Sequence, residues 1–400
     1  MDVYLLGAGA SKSYEISKTN EQLPLADDFF TTFNKLEISA NGWVLIGDLI
    51  NYVKDKRNIS VLEFSKYNED IEKLHTEIQE NYLEAIRKKN NDDIVRYGRA
   101  YSQLVSLFCS VINEIQNGDE SEFHKNLVLG LNEDDVIITF NWDTLIDKSL
   151  RNNTDWTVKD GYSLSPEKVY CDKWVEGVAS GTKNKLLKLH GSTNWISSYI
   201  RYDFQEEKIV FHHAGSNELI YIYESTIKPY PCYDGRYMSG YEDFSMGYYP
   251  PNIPSIEDKR KVLDGHVVMQ TIIRNGINPK GTSSSEGILS MPIIIPPVKN
   301  KSYEFYGNIF PSIWEKAGDA LTDADNIYVL GYSFPATDKP STDLFKKAFS
   351  RRSSIPNVVI VNPNPDEIAH KFKSDLGIPE SNLRILSDYI TSEYVIPKNV

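Results

Sequence analysis

Cysteine is scarce in this chain, and the shortage excludes two architectures. Only three occur in 400 residues, Cys109, Cys171 and Cys232. They lie far apart with no C-x-x-C pair, so a four-cysteine zinc ribbon cannot form and a disulfide framework is not expected. Long apolar runs are missing as well: none approaches the ~18 residues of a membrane span. Residues 3–6 followed by Ala8-Gly9-Ala10 imitate a short secretory core and its cleavage site, but no basic segment precedes them. The cytosol is therefore the expected compartment. A positive excess is also lacking. The net charge is −13, from 43 cations and 56 anions, and the densest basic stretches, Arg87-Lys88-Lys89 and Arg351-Arg352, are short. Such a chain repels a phosphate backbone at long range, so direct sequence-specific nucleic-acid binding is not expected.

What is present is ordinary for a folded protein. With 40% hydrophobic and 25% charged residues, the chain is neither disordered nor a simple coiled coil. At ~150 residues per domain it holds two or three domains. Short, largely apolar runs recur at residues 3–6, 136–140, 186–190, 293–295, 327–330 and 358–361. Each ends in glycine, proline, asparagine or another small or polar group, and helical patterns follow several of them, at 144–150, 310–321, 342–350 and 366–376. Apolar strands alternating with helices predict an α/β fold with a parallel sheet covered on both faces.

Two long stretches do not fit that alternation and read as insertions. Residues 41–125 are helical: Ile71, Leu74, Ile78, Tyr82 and Ile86 share one face, and Leu104, Phe108, Ile112 and Ile115 form a second stripe. Residues 196–288 are rich in Tyr, Gly and Pro. The sheet domain is then 1–40, 126–195 and 289–400. Eight of the 25 tyrosines fall between Tyr221 and Tyr249, which suits amphipathic packing or a partner interface. Stacking on single-stranded nucleic acid would also use aromatics, but residues 221–250 carry fewer cations than anions.

Ligands of open parallel sheets bind beyond the carboxyl ends of the strands. The residues that follow the runs are Gly7-Ala8-Gly9-Ala10-Ser11, Asn141-Trp142-Asp143, His190-Gly191-Ser192, Gly331-Tyr332-Ser333 and Asn362. Five such ends in one chain predict a single composite site. Gly7 and Gly9 permit close approach of backbone to a ligand. The full dinucleotide fingerprint would need glycine where Lys12 stands, and no Walker loop is present. Each residue also has a plain reading: a strand-to-helix turn for the glycines, a turn for Asn141, a structural histidine for His190, a helix cap for Asp143. No G-x-S-x-G elbow and no H-E-x-x-H occurs, which disfavours serine and zinc hydrolases.

Taken in order, Gly-Ala-Gly-Ala-Ser, Phe-Asn-Trp-Asp, Leu-His-Gly-Ser, Gly-Tyr-Ser and Val-Asn-Pro resemble the sirtuin family. The set is more similar still to the sirtuin-like proteins of bacterial antiphage defence. There, Phe-Asn-x-Asp, Lys-Leu-His-Gly-Ser and a Gly-Tyr-Ser-hydrophobic stretch followed by Asp, here Asp338, are usual forms. The match runs from about residue 7 to 363 and leaves both insertions unmatched. Sirtuin deacylases carry a four-cysteine zinc module that this chain cannot build. Their Gly-Ile-Pro-Asp-Phe-Arg cofactor loop has only Leu23-Pro24-Leu-Ala-Asp27-Asp-Phe29 as counterpart, without the Arg. Both departures favour the defence branch, whose members resemble NAD hydrolases.

The resemblance implies a Rossmann-like doubly wound sheet, NAD as substrate and no metal. It implies that Asn141 orients water and ribose and that His190 is the base. The Gly7–Ser11 loop, chiefly the backbone N–H groups of Ala8 to Ser11, would hold the diphosphate. Ser333 and Asn362 would hold the adenosine side, with Pro24, Asp27, Asp143, Gly191 and Gly331 completing the cofactor site. Asp27 reads equally as a helix start, and Asp338 as support for the Gly-Tyr-Ser loop. The leaving group is a cationic pyridinium that departs neutral, so the carboxylate pair of ordinary glycosidases is unnecessary. An unregulated NAD hydrolase would poison its cell. About 37 residues follow Pro363, too few for a sensor domain, so control is expected from assembly or in trans. A homo-oligomer and a HerA-type ATPase are the partners the resemblance implies. Two other classes stay open: an NAD-dependent protein deacylase, and a non-catalytic sensor or scaffold that binds NAD or ADP-ribose.

Overall fold

The computed structural model describes residues 1–36, 39, 46–166, 168–170, 174–198, 201–203, 208–210, 220–224, 290–298, 301, 308–335 and 338–397. Most of the tyrosine-rich stretch, with Cys171 and Cys232, lies outside the described residues. With strands numbered in chain order, one sheet contains β1 (Asp2–Leu6), β2 (Val136–Thr139), β5 (Lys185–Lys188), β11 (Asn326–Leu330), β12 (Asn357–Val361) and β13 (Leu383–Leu386). Its spatial order is β13-β12-β11-β1-β2-β5, and all five pairings are parallel. Counting only these six strands, the order is that of the doubly wound Rossmann fold, which reverses between β1 and β11. The inner strands are apolar because helices cover both faces: Val3–Leu6, Ile327–Leu330 and Val358–Val361 are all buried.

The apolar runs thus predict five of the six strands. The sixth, β13, reads Leu-Arg-Ile-Leu and is half exposed at the sheet edge, so it lacks the continuous apolar signal of an inner strand. The run at 293–295 goes elsewhere, which corrects the expectation that it joins the parallel sheet. It overlaps β10 (Ser290–Ile294), which pairs antiparallel with β6 (Gly191–Ser198) and shifts register between Pro292 and Ile294. Pro292 has no N–H to give a ladder, and it is tolerated because β10 is an edge strand with a bulge. This second sheet has the order β10-β6-β9-β3-β4, where β3 is Lys168–Tyr170, β4 is Trp174–Glu176 and β9 is Ile220–Tyr223. Two further strands, β7 (Arg201–Asp203) and β8 (Lys208–Val210), pair with each other.

Helices Gly47–Arg57, Ile71–Lys88 and Asn91–Ile115 form the helical block. Asp70 starts the second by accepting from Glu72 N and Lys73 N at 2.8 and 3.1 Å. Lys89, at φ +55°, ends it, and the Asn90 side chain caps the third. Ile71, Leu74, Ile78 and Tyr82 are buried as their spacing requires. The core of the block also takes in Tyr14, Leu23, Phe29, Phe30, Phe33 and Leu36, and reaches Leu145 and Ile294. The Arg57 guanidinium clamps it from outside, gripping Glu69 and Glu77 with two hydrogen bonds each. Among the described residues no helix is long and apolar enough to cross a membrane.

At the reversal point the loops after β1 and β11 touch backbone to backbone. Gly7 N donates to Leu330 O and Gly9 N to Gly331 O, both at 3.0 Å. A Cβ on Gly7 would lie 2.6 Å from Gly331 O, and one on Gly331, at φ +66°, would lie 2.6 Å from Ala10 N. Neither obstacle is a flexible side chain. Gly7→Ala is therefore expected to destabilise the fold by about 1–3 kcal/mol, the usual scale of overpacking. A urea midpoint equal to that of the wild type would refute the interlock.

Candidate active site

The loop Phe140-Asn141-Trp142-Asp143 leaves β2 beside the end of β1, and a hydrogen-bond chain ties the two ends together. Asn141 Nδ2 donates to Gly7 O and to Ser11 Oγ, each at 2.7 Å. The Gly7 carbonyl can only accept, so the orientation of the amide is settled. Ser11 Oγ passes its own proton to Asp143 Oδ2 at 2.5 Å, and Asp143 Oδ1 accepts from Leu145 N at 3.1 Å, at the start of helix Leu145–Asn153. Asn141 N is fixed by Thr139 Oγ1 at 3.0 Å. Both amide hydrogens of Asn141 are thus used. Its Oδ1 is the open atom, reached by no donor among the described residues, so Asn141 offers a ligand an acceptor and no donor.

Beneath this chain lies a buried ion pair. Lys188 Nζ donates to Asp143 O at 2.5 Å and to Asp147 Oδ2 at 3.0 Å. Tyr162 OH donates to the other Asp147 oxygen, and Asn194 Nδ2 to Tyr162 OH at 3.1 Å. Burial raises the Asp147 carboxyl against the pull of Lys188.

His190 follows β5, the strand beside β2. Leu189 N extends the ladder to Thr139 O at 2.9 Å, and Ile295 N binds His190 O at 2.8 Å. The imidazole is only 4% exposed. It stacks on Trp142 with ring centroids 5.8 Å apart and meets Phe140 edge to face at 5.1 Å. Its Nε2 lies 3.7 Å from Asp338 Oδ1. The other Asp338 oxygen accepts from Tyr332 OH at 2.6 Å, and Lys301 Nζ stands 3.5 Å from Oδ1. Burial lowers the His190 pKa despite Asp338 and the Phe140 carbonyl, which favour the charged ring, so the imidazole is neutral at pH 7. Burial would raise the Asp338 carboxyl, but its partners hold it at about 2.

A cleft of about 250 Å³ opens between the strand ends and the helical block. Of the residues singled out in the sequence, Ala8, Ser11, Pro24, Asn141 and Asp143 line it. Leu23, Leu25 and Ala26 from the following loop, Trp142, Pro297 and Pro335 complete one side, and Ile71, Glu72, Phe108 and Ile112 of the helical block form the other. The sequence marks Phe108, Ile112 and Ile71 as an apolar face, but spacing alone cannot say that this face meets the strand ends.

The remaining candidates do not line the cleft. Gly7, Gly9, Ala10 and Gly331 build the interlock: the amides of Gly9 and Ala10 bind Gly331 O and Gly7 O. Of the amides from Ala8 to Ser11, expected to hold a diphosphate, those of Gly9 and Ala10 are thus bonded within the protein. Gly191, at φ +81°, is glycine because a Cβ would strike the Ile293 carbonyl. Asp27 is exposed, with its carbonyl held by Asn68; its neighbour Asp28 is the one that binds, taking Leu25 N at 2.6 Å. Ser333 is exposed. Asn362 is buried and closes its own turn onto Asn364 N at 2.9 Å. His190 lies off the cleft too, stacked on Trp142, which lines it.

Ser11→Ala would leave an Asn141 hydrogen and an Asp143 oxygen without partners. A loss of about 1–3 kcal/mol is expected, the cost of stranding a buried polar group. Ser11→Ala with wild-type unfolding behaviour would show that the chain is not sealed from water.

No protein-family model matches the chain, and no curated protein matches it. Among solved structures, a chain from work on the structural basis of sirtuin substrate affinity aligns over 98% of this chain and 89% of its own, at 12% identity and a TM-score of 0.32. SIR2 in complex with the inhibitor EX-527, 2'-O-acetyl-ADP-ribose and deacetylated p53 peptide aligns over 95% of each chain, at 13% identity and a TM-score of 0.29. Overlaps this loose carry no argument about the site; the doubly wound fold rests on strand order and register.

Proposed function

We propose that the chain hydrolyses NAD to nicotinamide and ADP-ribose, as a sirtuin-like NAD hydrolase. The observation that carries the reading is Asn141, whose amide hydrogens are committed to Gly7 and Ser11 and whose one open atom is an acceptor at a largely apolar cleft. An acceptor held this way can orient a water or a ribose hydroxyl but cannot compete for an anion. The cleft suits the nicotinamide end of NAD. Trp142, Phe108, Pro297 and Pro335 offer flat or apolar surface to a ring, and Asp143 and Glu72 set negative charge beside a cationic one.

Bound NAD supplies a leaving group that departs neutral, so no proton has to be delivered to it. The protein's part is to place a water, hold the sugar and take up one proton. His190 is suited to the last role because it is neutral at pH 7. Its burial against Trp142 means that the indole must turn aside before a hydroxyl reaches the imidazole. In this reading the resting chain is restrained. Release comes through self-assembly or a partner such as a HerA-type ATPase, in keeping with a toxic effector of bacterial antiphage defence.

The decisive measurement is nicotinamide release from NAD by the purified chain, alone and with candidate partners. Asn141→Ala and His190→Ala are each expected to reduce it by ~10²–10⁴-fold with the fold intact; wild-type turnover by His190→Ala would sink the assignment. As pH falls, kcat/KM is expected to hold through the ordinary histidine range near ~6.5 and to fail only below it, because burial lowers the His190 pKa. A loss already complete at pH 6.5 would point to a different base.

A further inference from the structure

Asp338 has a geometry that support for its own loop does not explain. Tyr332 satisfies Oδ2 at 2.6 Å, and that bond alone would brace the Gly-Tyr-Ser loop. Oδ1 is buried with no hydrogen-bond donor among the described residues. Two nitrogens nevertheless stand close to it, His190 Nε2 at 3.7 Å and Lys301 Nζ at 3.5 Å. Both are beyond hydrogen-bond length and within ion-pair range. All three side chains are nearly solvent-free, at 4% exposed for His190, 2% for Asp338 and 6% for Lys301. A carboxylate oxygen placed between an ammonium and an imidazole nitrogen, bonded to neither, is poised to close on one of them.

We propose that Asp338 is the positioning residue of His190, and that Lys301 competes for the same carboxylate oxygen, so that the choice between them sets when the imidazole can hold a proton. This rests on the reading of His190 as the base. Among the described residues, the rings of Phe140, Trp142 and Trp314 also face the imidazole, with the Phe140 carbonyl, which favours the charged ring. Among the described residues, Asp338 and Lys301 are charges that act on it in opposite senses: the carboxylate favours the imidazolium and the ammonium opposes it. While Lys301 shares Oδ1, the ring stays neutral and ready to accept. Once the ring accepts, the new positive charge draws Oδ1 toward Nε2 and away from Lys301. Asp338 thus neutralises the imidazolium without taking the proton itself, and the tyrosine bond keeps its other oxygen fixed throughout.

The test reads the imidazole directly. The His190 titration midpoint is followed by NMR in the intact chain without NAD, for the wild type, Lys301→Met, Lys301→Arg and Asp338→Asn. Lys301→Met is expected to raise the midpoint and Asp338→Asn to lower it, each by ~1–3 pH units, the effect of a charge within about 4–6 Å. Lys301→Arg keeps the charge and is expected to stay near the wild type. The acid limb of kcat/KM should move in the same directions. A midpoint unmoved by Lys301→Met overturns the proposal, and so does a wild-type midpoint in Asp338→Asn. If Asp338→Asn does not fold, the two Lys301 variants decide alone, since a purely structural lysine would leave the imidazole unmoved. Failure to release nicotinamide with any partner would count against the hydrolase reading and leave the titration result standing, so the two failures are distinguishable.

Discussion

Backbone meets backbone where the loops after β1 and β11 cross, and the candidate site depends on that contact. A doubly wound sheet normally leaves a crevice at its reversal point. Here Gly7, Gly9 and Gly331 close it with their own peptide groups. Closure fixes the Gly7 carbonyl, which receives Asn141, and Asn141 in turn aligns Ser11 with Asp143. The cleft lined by Ser11, Asn141 and Asp143 accordingly lies toward β2 and the helical block. A glycine loop that resembles a phosphate cradle has become the anchor of an asparagine.

Much of the fold is legible in the sequence because an inner parallel strand must be apolar on both faces. Residues 3–6 and 327–330 announce themselves on that ground. Residues 383–386 do not, since an edge strand can carry Arg384, and Pro292 places its run in another sheet for a reason that periodicity does not encode. The site is legible in a different measure. Asn141, Ser11 and Asp143 stand out because polar groups at strand ends need a purpose, and they gather at one cleft. Gly191 stands out for the same reason, yet its glycine is demanded by the Ile293 carbonyl. Glu72 carries no local mark, and Phe108 is marked only as part of an apolar helical stripe. Their place opposite Asn141, which lies 69 and 33 positions after them in the chain, follows from how the helical block packs against the strand ends.

Buried charge is used twice around the loop after β2, in two different ways. Lys188 and Asp147 make a direct hydrogen-bonded pair, tied into Tyr162 and Asn194. Such a pair is strongly destabilising to break and holds one geometry. The group around Asp338 is looser, with two nitrogens near one oxygen and neither bonded to it. The first arrangement fixes the carbonyl of Asp143; the second places two nitrogens within ion-pair range of one oxygen. A directly bonded pair thus lies beneath Asn141, and a looser group lies beside His190.

The indole of Trp142 donates to Ile295 O at 2.9 Å, just past the end of β10. The sequence strings the whole stretch from residue 225 to 289 between β9 and β10, and both strands pair with β6, which starts at the residue after His190. β10 thus ends one residue before the carbonyl that holds the Trp142 indole, and its last residue, Ile294, pairs with Gly191. The carbonyl that holds the indole beside the imidazole and the strand that flanks Gly191 are one continuous piece of chain.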